Sequence, residues 1–280
     1  MSRFELDGAV AVVTGASRGI GPYIARELSE QGARVAVVAR SAGELEAVAG
    51  EIATAGGSAL AVAGDLTKRE DRARILATVA RELGPADVLI NNAGADLQRE
   101  FHRLSEPEIE GLLELNLHAP ILLAHAVLPG MLERGRGHVV NVSSMAGRTS
   151  FPFSEAYGAA KDGLTAFTRI WRNDYRARGV SASTLIVGPV GEAGVGARTS
   201  EELGLKLPPF LASPRDVARA SVRAIRKDKA ELVIMPGPAK ALRAMMDRFP
   251  DLGPALNRAG GVNRTMQRVA DYRERQVRQP

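Results

Sequence analysis

A chain of 280 residues is long enough to bury a sizeable core, and a hydrophobic content of 45% argues against disorder. With no cysteine, disulfides, thiolate metal sites, iron–sulfur clusters and a cysteine nucleophile are all excluded. The net charge of +5 belongs to residues 238–280, which hold nine basic and four acidic residues. The remainder is neutral and carries no aromatic–basic interleaving, so a nucleic-acid surface is not expected.

In chain order, the amino terminus lacks the uninterrupted apolar segment of a signal peptide. No run of 18 or more apolar residues follows, so a soluble, cytoplasmic protein is expected. Ala9 to Thr14 is a continuous β-branched run, the pattern of a strand buried on both faces of a parallel sheet. Gly15-Ala16-Ser17-Arg18-Gly19-Ile20-Gly21 follows, then a helical pattern through Leu28 that tolerates Pro22 because it falls in the first turn. Strand, glycine turn and helix together place backbone donors and a helix N-terminus against a phosphate.

A second strand, Arg34 to Ala39, ends at Arg40-Ser41. An acidic residue there would bind a ribose 2′-hydroxyl, whereas a cation suits a 2′-phosphate. Arg40, assisted by Arg18, therefore points to NADP(H) over NAD(H), with no carboxylate at the strand end to oppose it. Leu45 to Ala55 reads as a helix, and Ala59 to Ala63 as a strand that leads to Asp65 and Leu66, with Asp65 a candidate partner for an adenine amino group.

Arg69 to Leu83 is helical, and Asp87 to Ile90 is a strand ending in Asn91-Asn92-Ala93-Gly94. Glu106 to Glu133 reads as one long helical segment, kinked at Pro120 and broken late at Pro129. Asn116 lies in it among leucines and needs a partner. The four histidines, His102, His118, His125 and His138, show no metal-ligand spacing, and packing or surface roles are expected for them.

Val139 to Val142 is a strand that ends in Ser143-Ser144-Met145-Ala146-Gly147. After it, Glu155 to Arg178 reads as a helix with an apolar stripe at Ala160, Leu164, Phe167 and Trp171. Tyr157 and Lys161 stand one turn apart on that helix. A neighbouring ammonium lowers a tyrosine pKa by roughly 1 to 3 units, which would make Tyr157 a general acid or base. A serine hydroxyl at the end of the adjacent strand would hold the substrate oxygen.

Val180 to Val187 is a further strand, and Val190 to Leu211 is a glycine- and proline-containing segment expected to be mobile. Pro214 to Arg226 is a helix and Glu231 to Met235 the last strand. Strict alternation of strands and helices implies an α/β fold, a Rossmann-like doubly wound parallel sheet.

Five motifs in this order, Thr14 to Gly21 (TGASRGIG), Asn91 to Gly94 (NNAG), Asn116, Ser144 and Tyr157 to Lys161 (YGAAK), resemble the classical short-chain dehydrogenase/reductase family. The resemblance covers residues 6–237. It implies a single catalytic domain over 1–237, with residues 238–280 a basic helical extension, and the transfer of hydride between NADP(H) and a small-molecule carbonyl or alcohol. In the family's terms Tyr157 exchanges the proton on the substrate oxygen. Lys161 lowers its pKa and binds the nicotinamide ribose. Ser144, selected over Ser143 by its spacing from the tyrosine, orients the carbonyl, and Asn116 holds a water. Gly15, Ser17, Arg18, Gly19, Ile20 and Gly21 form the pyrophosphate turn, while Asp65, Leu66, Asn91, Asn92, Ala93, Gly94 and Pro189 line the cofactor.

The chain departs from the family in two places. Val187-Gly188-Pro189 is not followed within four residues by a threonine to meet the nicotinamide carboxamide, and the first threonine is Thr199. That departure motivates an alternative, a dinucleotide-binding regulatory or scaffold protein without turnover; an isomerase or dehydratase is a weaker option. The extension is the second departure. Leu242, Met245, Met246 and Phe249 make one amphipathic set and Val262, Met266 and Val269 another, separated by Pro250, Pro254 and Gly260-Gly261. Two helices packing on the body or a partner are expected, with membrane-surface anchoring the sharper alternative. Met145, Phe151, Phe153 and residues 190–211 would line an apolar substrate pocket. The stripe on the Tyr157 helix and the Asn116 helix would form an intersubunit bundle in a homodimer or homotetramer.

Overall fold

Seven runs rich in small and β-branched residues form one parallel sheet in the order β3-β2-β1-β4-β5-β6-β7. The computed structural model describes residues 4–191, 197–205, 211–235, 237 and 239–278. The strands and the helices between them are β1 (Val10–Thr14), α1 (Gly21–Glu30), β2 (Arg34–Ala39), α2 (Ala42–Thr54), β3 (Ser58–Ala63), α3 (Arg69–Glu82) and β4 (Val88–Asn91). After these come α4 (Glu106–Leu113), α5 (Ala119–Glu133), β5 (Gly137–Ser144), α6 (Glu155–Tyr175), β6 (Val180–Val187), α7 (Ala197–Glu202), α8 (Pro214–Arg226) and β7 (Glu231–Ile234).

Successive strand residues face opposite layers, as the two-residue period requires. In β1, Ala11 and Val13 join Ile24 and Leu28 of α1 and Val217 and Ile225 of α8 in one layer. Val10 and Val12 join Ile75 of α3, Leu123 of α5 and Trp171 of α6 in the other. Each fully buried aliphatic side chain contributes about 1.5–3 kcal/mol, so the core rather than helix propensity sets these positions. From β1 the chain winds outward through β2 and β3, then crosses back to β4. The crevice of the sheet therefore opens at the carboxyl ends of β1 and β4.

The helical segment from Glu106 differs from its expected form. Residues Glu114–His118 make a π-turn between α4 and α5, and Pro120 follows in the first turn of α5. Pro129 lies inside α5, which runs on to Glu133 without a break. The irregularity is thus an extra residue at Asn116 rather than a proline kink, consistent with the tendency of π-turns to sit at functional positions. Residues 106–133 are long enough to cross a membrane and contain an 18-residue stretch of mean hydropathy 1.4, apolar enough to do so. Here Ala119, Leu123, Ala124 and Met131 are buried against the sheet, as in a core helix.

The α6 stripe is also turned inward. Ala160, Leu164 and Trp171 are buried, and the Trp171 ring lies 5.7 Å from Phe167 and 5.0 Å from Tyr175. These positions, expected at an intersubunit seam, are buried within the chain's own core; the large apolar side chain that α6 leaves exposed is Ile170. Of the segment 190–211, residues 192–196 and 206–210 lie outside the described residues. The described part holds α7 and a parallel bridge between Val190 and Ala212.

The extension forms three helices, α9 (Ala239–Arg248), α10 (Leu252–Ala259) and α11 (Val262–Arg278), where two were expected. Pro254 does not separate helices; it falls in the first turn of α10, where its missing N–H costs nothing. Met246, Met266, Val269 and Ala270 are buried, while Met245 and Phe249 are exposed.

His138 illustrates what the sheet does to a polar side chain. Its ring is buried between β5 and β6 with Nε2 2.8 Å from the Ser183 hydroxyl. That hydroxyl donates to the Lys229 carbonyl at 2.6 Å, so Nε2 carries the proton and donates to Ser183. Burial pushes the imidazole pKa down from 6.5 to about 4. Between those values the unfolded chain binds a proton that the folded chain refuses, so stability present above pH 6.5 is lost as the pH falls toward 4. Denaturant unfolding at pH 6.5 and pH 5 is expected to show wild type losing about 2 kcal/mol more than His138→Gln. Equal losses would place the ring's protonation elsewhere.

Candidate active site

The turn after β1 is built for close approach of a ligand to backbone. Gly15 and Gly19 adopt φ of 65° and 68°, which a side chain would strain. A Cβ on Gly21 would stand 2.1 Å from the Gly15 carbonyl oxygen, and one on Gly15 would stand 2.7 Å from Ala93 Cα. The N-terminus of α1 has no side-chain cap and no acidic residue in its first turn, which leaves its donors and its positive dipole end for an anion. These residues fit the pyrophosphate of a dinucleotide. Ser17 and Ile20 are partly exposed beside this turn and Arg18 is exposed.

The NNAG segment holds the turn in place. Thr14 Oγ1 donates to the Ile90 carbonyl (3.1 Å) and accepts from the backbone N–H groups of Asn92 (3.0 Å) and Ala93 (3.1 Å). The Asn92 side-chain amide donates to the carbonyls of Thr14 (2.9 Å) and Gly15 (3.2 Å). Asn91 is buried and donates to Asn141 Oδ1 at 2.8 Å and to the Pro120 carbonyl at 3.2 Å. The two asparagine side chains, expected to line the cofactor, thus tie β4 and the turn after it to neighbouring segments; the signal that could have shown this is the polar Asn141 amid Val139, Val140 and Val142.

Arg40 is exposed at the end of β2. A carboxylate does stand within electrostatic reach of it, contrary to the sequence expectation. Asp65, after β3, has its pKa lowered, against the opposing effect of burial, by hydrogen bonds from Thr67 and by the charges of Arg40 and Lys68. Asp65 Oδ1 accepts from the Thr67 N–H (3.0 Å) and hydroxyl (2.8 Å). Asp65 Oδ2 has no hydrogen bond among the described residues and remains available as an acceptor. Leu66 is buried beside it, and its carbonyl accepts from Arg72 at 2.5 Å.

At the other end of the crevice, Asn116, Ser144, Tyr157 and Lys161 come together. Asn116 is fully buried; its amide donates to the carbonyls of Ala95 (2.8 Å) and Leu112 (2.9 Å), and Oδ1 accepts from the Ala95 N–H (3.3 Å). A Cβ on Gly94 would lie 2.7 Å from Asn116 Oδ1 and 3.2 Å from Lys161 Nζ, so the glycine lets the two groups meet. Lys161 is buried, donates to the Val142 carbonyl at 3.0 Å, and has its pKa pushed down to about 8 by burial.

The two serines separate cleanly. Ser143 Oγ donates to the Lys161 carbonyl (2.8 Å) and accepts from Thr165 Oγ1 (3.1 Å), which commits its only proton within the packing. Ser144 Oγ accepts from the Ala146 N–H (3.1 Å) and hydrogen-bonds the Tyr157 phenol.

One electrostatic expectation is reversed. Burial raises the Tyr157 pKa to about 12, outweighing the contact with Ser144, and the Asp96 carboxylate raises it further. The reason is geometric: Lys161 Nζ lies against the ring, 5.6 Å from its centroid, and donates to a strand carbonyl rather than to the phenol oxygen. Among the described residues no cluster of side chains could hold a metal ion. A cleft of about 390 Å³ between α8 and β7 shares no lining residue with this group.

Comparison with known proteins bears on the same stretch. Residues 9–203 match the model of the short chain dehydrogenase family. The chain belongs to that family. The ketoacyl reductase HetN of Nostoc sp. is 34% identical over 252 residues, 89% of this chain and 86% of that protein. The 3-oxoacyl-[acyl-carrier-protein] reductase FabG of Vibrio cholerae is 33% identical over 220 residues, 77% of this chain and 89% of that one. Among solved structures, a metagenomic short-chain oxidoreductase in complex with NADP superposes with a TM-score of 0.70 at 35% identity, covering 84% of this chain and 99% of its own. As a short-chain dehydrogenase, the protein is an oxidoreductase with a nucleotide-binding sheet.

Pro189 lies at the sheet's edge of this short-chain dehydrogenase, exposed, with its carbonyl accepting from the Ala212 N–H at 3.0 Å. Thr199, the first threonine after β6, is buried, and its hydroxyl accepts from Arg273 of α11 at 3.1 Å. Glu192, Ala193 and Gly194 lie outside the described residues.

Proposed function

We propose that this short-chain dehydrogenase is an NADP(H)-dependent enzyme that interconverts a ketone or aldehyde with its alcohol, on an apolar substrate. The observation that carries this is the meeting of Ser144, Tyr157 and Lys161 at the same sheet edge as the glycine turn. The nicotinamide, when bound, supplies or accepts the hydride; the chain supplies position and a proton.

A phenol with a pKa near 12 is protonated at neutral pH, so Tyr157 is set to donate its proton to a carbonyl oxygen held by the Ser144 hydroxyl. Lys161, cationic below about pH 8, compensates the negative charge left on the phenol oxygen. Asn116 keeps the loop at Ala95 against this group. The names of HetN and FabG favour a 3-oxoacyl compound as the first carbonyl to try.

Arg40 supports NADP(H). Arg40→Ala is expected to weaken NADPH binding about 10- to 100-fold, as loss of charge-assisted hydrogen bonds to a 2′-phosphate would, while NADH binding changes less than threefold. Fluorescence titration with both nucleotides measures this, and an equal effect on the two would remove Arg40 from cofactor selection. The missing threonine after Pro189 favours a second reading, a dinucleotide-binding protein without turnover. Steady oxidation of NADPH with any carbonyl compound rules it out.

A further inference from the structure

We propose that Arg273 is a positioning residue of the substrate cleft, its guanidinium tying the loop after β4 to α7 and so fixing the walls between which a carbonyl reaches Ser144 and Tyr157. The inference rests on the oxidoreductase reading for its consequence in catalysis, but not for the tie itself.

The guanidinium of Arg273 donates to the carbonyls of Asp96 (2.7 Å) and Leu97 (2.9 Å) through one nitrogen and to Thr199 Oγ1 (3.1 Å) through another. All three acceptors are neutral, so the contact is a matter of the planar fork and not of charge pairing alone. The legs to Asp96 and Leu97 reach a loop on which the site depends. Ala95, adjacent to Asp96, exchanges hydrogen bonds in both directions with Asn116. The Asp96 carboxylate is buried and accepts from Ser154 Oγ at 2.6 Å, and Ser154 immediately precedes the helix that carries Tyr157. Burial raises the Asp96 pKa, and Arg273 supplies the opposing positive charge. Thr199 belongs to α7, in the segment that follows β6.

Helix α11 does not depend on Arg273 for its own seat. Arg99 bonds Glu274 at 2.8 Å, Gln267 bonds Glu100 at 2.8 Å, and Met266, Val269 and Ala270 are buried. Tyr272 of α11 also donates to Glu202 of α7 at 3.1 Å. Loss of the arginine should therefore release the walls while leaving the extension in place.

The test compares full-length wild type, Arg273→Ala, Arg273→Lys and Thr199→Val. Hydrogen exchange is read in peptides covering 95–101 and 197–205. Steady-state kinetics use NADPH with acetoacetyl-N-acetylcysteamine. Arg273→Ala is expected to speed exchange at least tenfold in both peptides and to raise KM about tenfold, with kcat within threefold and NADPH binding within twofold. Arg273→Lys keeps the charge but loses the fork, and is expected to recover neither exchange protection nor KM. Thr199→Val removes one acceptor and speeds exchange in 197–205 only, so it decides the matter even if Arg273→Ala does not fold. Unchanged exchange in 197–205 in Arg273→Ala, or in Thr199→Val if Arg273→Ala cannot be purified, overturns the proposal. If wild type turns over no carbonyl, the exchange result still decides the tie, and the failure falls on the oxidoreductase reading.

Discussion

Tyr157→Phe is expected to lower kcat about 1000-fold, the upper part of the range for loss of a general acid, with NADPH binding unchanged within threefold. The substitution removes one oxygen and keeps the ring that packs against Lys161 Nζ at 5.6 Å. It also removes a buried hydroxyl that hydrogen-bonds Ser144, so folding stability should change by no more than about 1 kcal/mol. Turnover measured beside fluorescence titration of NADPH separates chemistry from binding. A variant retaining more than a tenth of kcat would take Tyr157 out of proton transfer and leave Ser144 as the remaining hydroxyl at the site.

Gly21→Ala should be the most damaging single methyl in the nucleotide half. Its Cβ would meet the Gly15 carbonyl oxygen at 2.1 Å, and that oxygen is backbone that cannot rotate away. The turn must open, at a cost of about 1–3 kcal/mol, and dinucleotide affinity falls about 100-fold with it, equivalent to about 3 kcal/mol. Gly50→Ala in α2 is the control, since nothing lies within 4 Å of its added methyl. There the protein should gain about 0.4–1 kcal/mol, because alanine restricts the unfolded chain. Melting curves with and without NADPH read both; a Gly21→Ala protein that still binds NADPH like wild type would mean that the turn is not a phosphate cradle.

Much of this was legible in the order of residues. Buried parallel strands write themselves as β-branched runs, and β6 and α8 took the boundaries expected of them, the latter through the Ser213–Asp216 capping box. The grouping of Tyr157 with Lys161 follows from helical spacing. What spacing cannot supply is where along the ring the ammonium rests, and so the sign of the tyrosine shift was missed. The π-turn at Asn116 was hidden because an extra residue in a helix leaves no compositional trace, and two prolines nearby offered a simpler cause. The helix α10 was hidden by Pro254, which reads as a breaker unless the helix start is known. Contacts between distant segments, such as Arg273 with Asp96 and Leu97, carry no periodic signal at all.

The adjacent serines at the end of β5 have a consequence for how this chain can change. Asn141 and Ser143 turn one way and bond Thr168 and the Lys161 carbonyl, while Val140, Val142 and Ser144 belong to the other side of the pleat. Eight paired positions with β6 hold that phase. Deleting a single residue between 137 and 142 would exchange the two hydroxyls, sending the one that meets Tyr157 into the packing and the packing one toward Tyr157. Loops before and after this strand can lengthen or shorten over generations; the strand itself has to be inherited with its parity intact.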